Sequence, residues 1–130
     1  MKRLSMLLIV LAAPALAEPD PVTGEGVFRS VCAACHGSDA KGGGPIAELL
    51  TVEPPDLTGL AAANDGVFPV FRVVRQIDGR DPMLAHGGQM PVFGQFFDMP
   101  DAAIASESGQ PIITAQPIAD VTAWLATIQE

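Results

Sequence analysis

The pentapeptide Cys32-Ala33-Ala34-Cys35-His36 contains both cysteines of this 130-residue chain and one of its two histidines. If the segment is helical, Cys32, Cys35 and His36 lie on one face, because residues three and four apart are neighbours on a helix. Three kinds of site use cysteines at this spacing: a structural zinc site, a thioredoxin-like redox pair, and the covalent attachment of a c-type haem. The surrounding sequence distinguishes among them.

Two of these interpretations fit the rest of the chain poorly. A structural zinc site needs four ligands, usually from two paired clusters, and outside the pentapeptide the chain offers only His86 and carboxylates. A thioredoxin-like pair begins a helix that follows a strand, whereas residues 24–31 have a helical pattern without a β-rich run. Haem attachment, in which both thiols add to vinyl groups and the adjacent histidine binds the iron, is therefore favoured.

The N-terminal residues have the pattern of an export signal. Lys2 and Arg3 precede the apolar run 4–17, which ends in Ala15-Leu16-Ala17. A basic start, a short apolar stretch and an A-x-A end are typical of a secretory signal peptide, and the run is too short for an ordinary membrane span. We therefore predict a signal peptide over 1–17 and a periplasmic protein, in agreement with haem attachment, which is completed outside the cytoplasm. Retention of the segment as an anchor stays open.

Charge and length exclude several classes of function. The chain has 15 acidic and 7 basic residues, and cleavage after Ala17 would remove two of the basic ones, leaving a net charge of −10. Such a chain binds nucleic acid poorly because phosphates repel it, and it favours redox partners with a basic docking patch. The length corresponds to one domain. No triad, metal cluster or carboxylate pair supports a separate active site, so we predict that the protein is not an enzyme. A free carrier would also be a monomer.

The sequence resembles the class I c-type cytochromes, in particular small bacterial periplasmic proteins with one haem, from about residue 24 to the C-terminus. Seven residues carry the resemblance: Gly24, Phe28, Cys32, Cys35, His36, Gly37 and Trp124. It implies an all-α cytochrome c fold, in which the N- and C-terminal helices cross at Gly24, where the lack of a side chain permits close approach. A loop-rich shell surrounds one covalently bound haem. We predict an extended lead-in at 18–23 and the cytochrome c domain at 24–130.

The iron needs a second axial ligand or an open site, and the candidates for this ligand are Met83, His86, Met90 and Met99. The stretch Met90-Pro91-Val92-Phe93-Gly94 resembles the methionine loop of the family. Pro91 restricts Met90 to an extended backbone, which helps to hold the thioether in place. Met99-Pro100 is a weaker copy of this pattern, and Met83 lacks it. Core packing is the alternative role for any of these methionines.

These features predict one haem c, attached through Cys32 and Cys35 and ligated by His36 and Met90. The resemblance also implies that a proline carbonyl after the Gly-rich loop accepts a hydrogen bond from His36, and Pro45 follows that loop. Arginine suits the carboxylates of the haem propionates, and three arginines precede the methionine loop: Arg72, Arg75 and Arg80. Surface solvation is the alternative role of these arginines.

Periodicity and turn residues predict the remaining elements. Helices are expected at 24–35, at 67–78 with Gly79 as C-cap, and at 116–129 with Pro117 in the first position. A short helix is expected at 101–106 and a polar loop at 108–116.

The resulting functional hypothesis is a periplasmic one-electron carrier with His/Met ligation. Two alternatives remain open. The protein could be an electron-transfer subunit of a dehydrogenase or oxidase complex, with the 98–116 region as an interface, or a haem protein whose open iron binds peroxide or a small gas.

Overall fold

The structure, a computed structural model, describes residues 17–79, 90–97 and 100–130. Several predictions concern residues outside these ranges: the signal peptide up to residue 16, Arg80, Met83, His86 and Met99. Within the described residues, no helix combines the length and apolar character needed to cross a membrane.

The N-terminal helical run consists of three consecutive pieces: α1 (Pro21–Val27), a π-helical segment (Phe28–Cys32) and α2 (Ala33–His36). The run begins three residues before the predicted start, because Asp20 caps it. The Asp20 side chain accepts a hydrogen bond from the Val22 amide at 3.0 Å, and Pro21 occupies the first turn, where its missing N–H has no cost. Gly37, with φ of 75°, ends the run directly after His36.

The last helix, α4 (Gln116–Thr127), crosses the N-terminal run as predicted. A Cβ atom at Gly24 would overlap the carbonyl oxygen of Asp120 and would lie 2.9 Å from the amide nitrogen of Val121. The rings of Phe28 and Trp124 pack with their centroids 4.6 Å apart. The absence of a side chain at Gly24 thus permits the two backbones to approach and the aromatic pair to form.

Helix α3 (Val70–Asp78) supplies the third side of the core. Its buried positions are Val73, Val74 and Ile77, and it ends at Gly79 with φ of 63°, the predicted left-handed cap. The helix begins at Val70 and not at the predicted residue 67, because Pro69 occupies the N-cap position. A larger core cluster joins this face to the crossing helices: Phe28, Ile118, Val121, Trp124 and Leu125.

Residues 102–114 form an antiparallel hairpin of β1 (Ala102–Ala105) and β2 (Pro111–Thr114), with Ala102 opposite Thr114. The predicted helix at 101–106 is therefore wrong, as is the prediction that 108–116 is only a loop. The fold is mostly helical with a small two-stranded sheet, which amends the expected all-α class.

The hairpin forms because tertiary context overrides the helix preference of its alanine-rich first strand. The second strand carries the β-branched residues Ile112, Ile113 and Thr114, which favour extended backbone. The turn is closed by a hydrogen bond of 2.8 Å from the Ser106 amide to the Gln110 carbonyl. Ala102 also forms a parallel β-bridge with Ala17, so the chain before α1 lies against the first strand.

Candidate functional site

An apolar cavity of about 610 Å³ lies against the N-terminal helical run, α3 and α4. Its volume is within the usual range for sites that bind small molecules and cofactors, about 300–1,000 Å³. All four residues predicted to bind the cofactor line this one cavity: Cys32, Cys35, His36 and Met90. The structure therefore brings together two segments that are more than 50 residues apart in the chain.

The imidazole of His36 is buried, with 9% of the residue exposed. Burial lowers its pKa, because a charged ring is poorly solvated there, and the Pro55 carbonyl opposes this effect more weakly. The neutral ring is the form that binds a metal ion. Within the described residues, the buried Nδ1 atom makes no hydrogen bond of good geometry. Burial thus favours the protonation state of a metal ligand.

Pro55, and not the expected Pro45, lines the cavity together with His36, and its carbonyl opposes the effect of burial on the pKa of the ring. The amides of Gly44 and Ile46 each donate a hydrogen bond of 3.0 Å to the backbone of the pentapeptide, at Cys35 and Ala34. These bonds dock the Gly-rich loop onto α2 and leave Pro45 exposed. The later Pro54-Pro55 pair lines the cavity with His36 instead. Consecutive prolines impose an extended backbone, and this was the feature of the sequence that could have indicated the segment.

The two cysteines are free and partly buried. Desolvation raises the pKa of Cys32 to about 11, and the neighbouring Cys35 adds to this effect. Cysteines of thiol–disulfide exchange sites have lowered pKa values, because the thiolate is the nucleophile. The environment of Cys32 therefore argues against a thioredoxin-like pair and suits an uncharged sulfur, as in a thiol or a thioether.

The described residues also argue against a zinc site. No group of three or more histidine, cysteine, aspartate or glutamate side chains comes close enough, anywhere in 17–79, 90–97 or 100–130, to hold a metal ion. A structural zinc site requires four such ligands.

Met90 is held at the cavity by the way its loop docks on the end of α3. The amides of Phe93 and Gly94 donate hydrogen bonds of 2.9 Å to the carbonyls of Ile77 and Asp78. These are the last two residues of α3, whose carbonyls have no partner within the helix. Gly79 packs so closely on Val92 that a Cβ atom there would overlap the valine side chain.

The three arginines have different surroundings. Arg72 lines the cavity, whereas the guanidinium of Arg75 lies 5.3 Å from the centre of the Phe71 ring; Arg80 is outside the described residues. Gln76, one helical turn after Arg72, also lines the cavity. The sequence analysis missed Gln76, which the i,i+4 spacing from Arg72 could have indicated.

The donor set fits a covalently bound haem. Two free thiols, a neutral histidine and a methionine thioether line a cavity whose remaining surface is largely apolar, with Arg72 and Gln76 as polar groups suited to carboxylates. Haem iron in cytochromes c is held by histidine and methionine.

Comparison with protein-family models identifies a match to the family described as Cytochrome C oxidase, cbb3-type, subunit III, over residues 19–106. The matched range includes the pentapeptide, α3, the methionine loop and β1, and ends before β2 and α4. A search of curated proteins finds no match.

Proposed function

Because the chain belongs to this cytochrome c family, whose domain is of the class I type, we propose that it is an exported one-electron carrier with a single haem c. In this proposal Cys32 and Cys35 attach the haem, and His36 and Met90 are the axial ligands. The observation that supports it most is the convergence of all four side chains on one apolar cavity.

The bound haem would supply reversible one-electron chemistry between ferric and ferrous iron. The residues of the chain bind and orient it and exclude water. The neutral imidazole of His36, which burial favours, would offer a nitrogen lone pair to the iron, and the thioether of Met90 would favour the ferrous state and so raise the potential. Arg72 and Gln76 provide hydrogen-bond donors for the propionates. No substrate binds the iron in this role, so the protein is a carrier and not an enzyme.

The test of this proposal is the absorption spectrum of the exported, haem-loaded protein. We expect the weak far-red band of thioether-to-iron charge transfer in the ferric form, and no change when carbon monoxide is added to the reduced form, because both axial positions are filled. A missing band together with a Soret shift on carbon monoxide addition would show an open sixth position. That result would replace electron transfer by gas or peroxide binding as the working function.

The proposed port for electrons is the rim of the cavity formed by residues 46–53. Four apolar side chains of this segment are exposed: Ile46, Leu49, Leu50 and Val52. Glu48 and Glu53 lie in the same segment and are also exposed. An apolar patch flanked by carboxylates, on a chain with a large negative net charge, is complementary to a redox partner with a basic docking patch.

Electron transfer to such a partner should slow as salt is added. We expect the second-order rate constant to fall on the order of tenfold between about 0.01 M and about 0.15 M salt, as the screening length falls from about 30 Å to about 8 Å. A small cationic redox protein is a suitable partner for stopped-flow measurement. Changing both Glu48 and Glu53 to glutamine should flatten the salt dependence more than the double change Glu18→Gln and Asp65→Asn, which removes the same number of charges at exposed residues outside the cavity lining. An unchanged salt dependence in the double variant would contradict the proposed port.

The family description favours a second candidate function, an electron-transfer subunit of a terminal oxidase. In that case the hairpin at 102–114 is the candidate interface. Co-purification from native cells distinguishes the two functions, because a free carrier is recovered as a monomer and a subunit is recovered with its complex.

A further inference from the structure

The hairpin contacts both ends of α3. At the start of the helix, the Glu107 carboxylate in the turn accepts a hydrogen bond of 3.3 Å from the Phe71 amide. At the end, the Thr114 hydroxyl donates a hydrogen bond of 3.2 Å to the Asp78 carboxylate. The hairpin therefore spans the length of the helix that carries the methionine loop.

Asp78 joins the hairpin to that loop. Its side chain accepts the hydrogen bond from Thr114, while its backbone carbonyl accepts a hydrogen bond of 2.9 Å from the Gly94 amide. The same residue is thus bonded on one side to β2 and on the other to the segment that begins at Met90. A shift of Asp78 would move the carbonyl on which the loop is docked.

Thr114 is the most deeply buried residue of its strand, with 0% of its surface exposed, whereas 52% of the preceding Ile113 is exposed. A buried hydroxyl needs a hydrogen-bond partner, because desolvation without one is costly. Asp78 lies 36 residues away in sequence, so this bond fixes the strand relative to the end of α3 and does not merely stabilise the hairpin.

We propose that Thr114 is a positioning residue for Met90. Its hydroxyl holds Asp78, Asp78 holds the methionine loop, and the loop keeps the thioether at the sixth coordination position. The inference rests on the proposed function, since it assumes that Met90 binds the iron. It adds a role for the hairpin, whose second strand lies outside the range matched by the family model.

The experiment measures how fast imidazole replaces the methionine in the ferric, haem-loaded protein. At saturating imidazole this rate would be limited by release of Met90, so it would report on the positioning of the loop. Thr114→Val removes the hydroxyl and keeps the shape of the side chain. Thr122→Val is the matched control, because Thr122 is also 0% exposed but its hydroxyl bonds locally to the Ile118 carbonyl at 2.7 Å. Thr114→Ser restores the hydroxyl.

We expect imidazole to bind Thr114→Val severalfold faster than wild type, up to about tenfold, the factor that a hydrogen bond of about 1.4 kcal/mol represents. Thr122→Val should bind at the wild-type rate, and Thr114→Ser should return towards it. Equal acceleration in both valine variants would indicate general loosening and would overturn the inference, as would no acceleration in either. If wild type itself lacks the far-red band, the ligation by Met90 is wrong, and the proposed function then fails together with the inference.

Discussion

Met90→Leu should abolish the far-red thioether band and open the reduced iron to carbon monoxide. Leucine has nearly the volume of methionine, so the change removes the sulfur while leaving the packing of the cavity almost intact. The potential should fall by a substantial part of the roughly 0.8 V range that axial ligands span in haem proteins, because the ligand that favours ferrous iron is lost. Spectra with and without carbon monoxide, and a redox titration, measure these effects.

The chain contains its own controls for this change, since Met83 and Met99 also lie beyond α3. Neither has the complete Met-Pro-x-aromatic-Gly pattern of residues 90–94. We expect Met83→Leu and Met99→Leu to keep the far-red band and the wild-type potential. Loss of the band in one of these variants, with the band retained in Met90→Leu, would transfer the ligand assignment to that methionine.

Gly24→Ala should destabilise the protein by more than about 3 kcal/mol, at the upper end of the range for overpacked sites. The added methyl group would overlap the Asp120 carbonyl oxygen, and a clash with backbone is not relieved by a change of rotamer. Separation of the helices would also weaken the Phe28–Trp124 contact and the partly buried hydrogen bond of 2.7 Å from the Asp20 amide to the Asp120 carboxylate. Domains have free energies of unfolding of about 5–15 kcal/mol, so the expected destabilisation is a large fraction of the total stability.

Gly26→Ala is the matched control in the same helix. A Cβ atom at Gly26 would have no neighbour within 4 Å, and alanine favours helix over glycine by about 0.5–1 kcal/mol. We expect the midpoint of urea unfolding of the haem-loaded protein to be unchanged or higher in this variant and much lower in Gly24→Ala. Similar midpoints for the two variants would show that close helix approach at Gly24 is not important for stability.

Predictions that depended on short spacings agree best with the structure. The end of α3 follows from Gly79, which readily adopts the left-handed cap conformation. The start of α4 follows from Pro117, whose restricted backbone suits the first turn of a helix. The contact between Gly24 and α4 is long-range, but it followed from the family resemblance and not from the spacing. The hairpin was missed because three of the four residues of β1 are alanines, which favour helix, and pairing with β2 decides the outcome.

The sequence by itself determined the local chemistry: two thiols and a histidine on one helical turn, a methionine restricted by Pro91, and a glycine four residues before Phe28 on one helical face. These features depend on neighbouring residues, whose geometry the backbone sets over a few bonds. Only the tertiary structure decided that Pro55 and not Pro45 lines the cavity beside His36, that Arg72 and Gln76 reach the cavity, and that Thr114 is bonded to the end of α3. Those relations depend on backbone hydrogen bonds between distant segments, which no local spacing encodes.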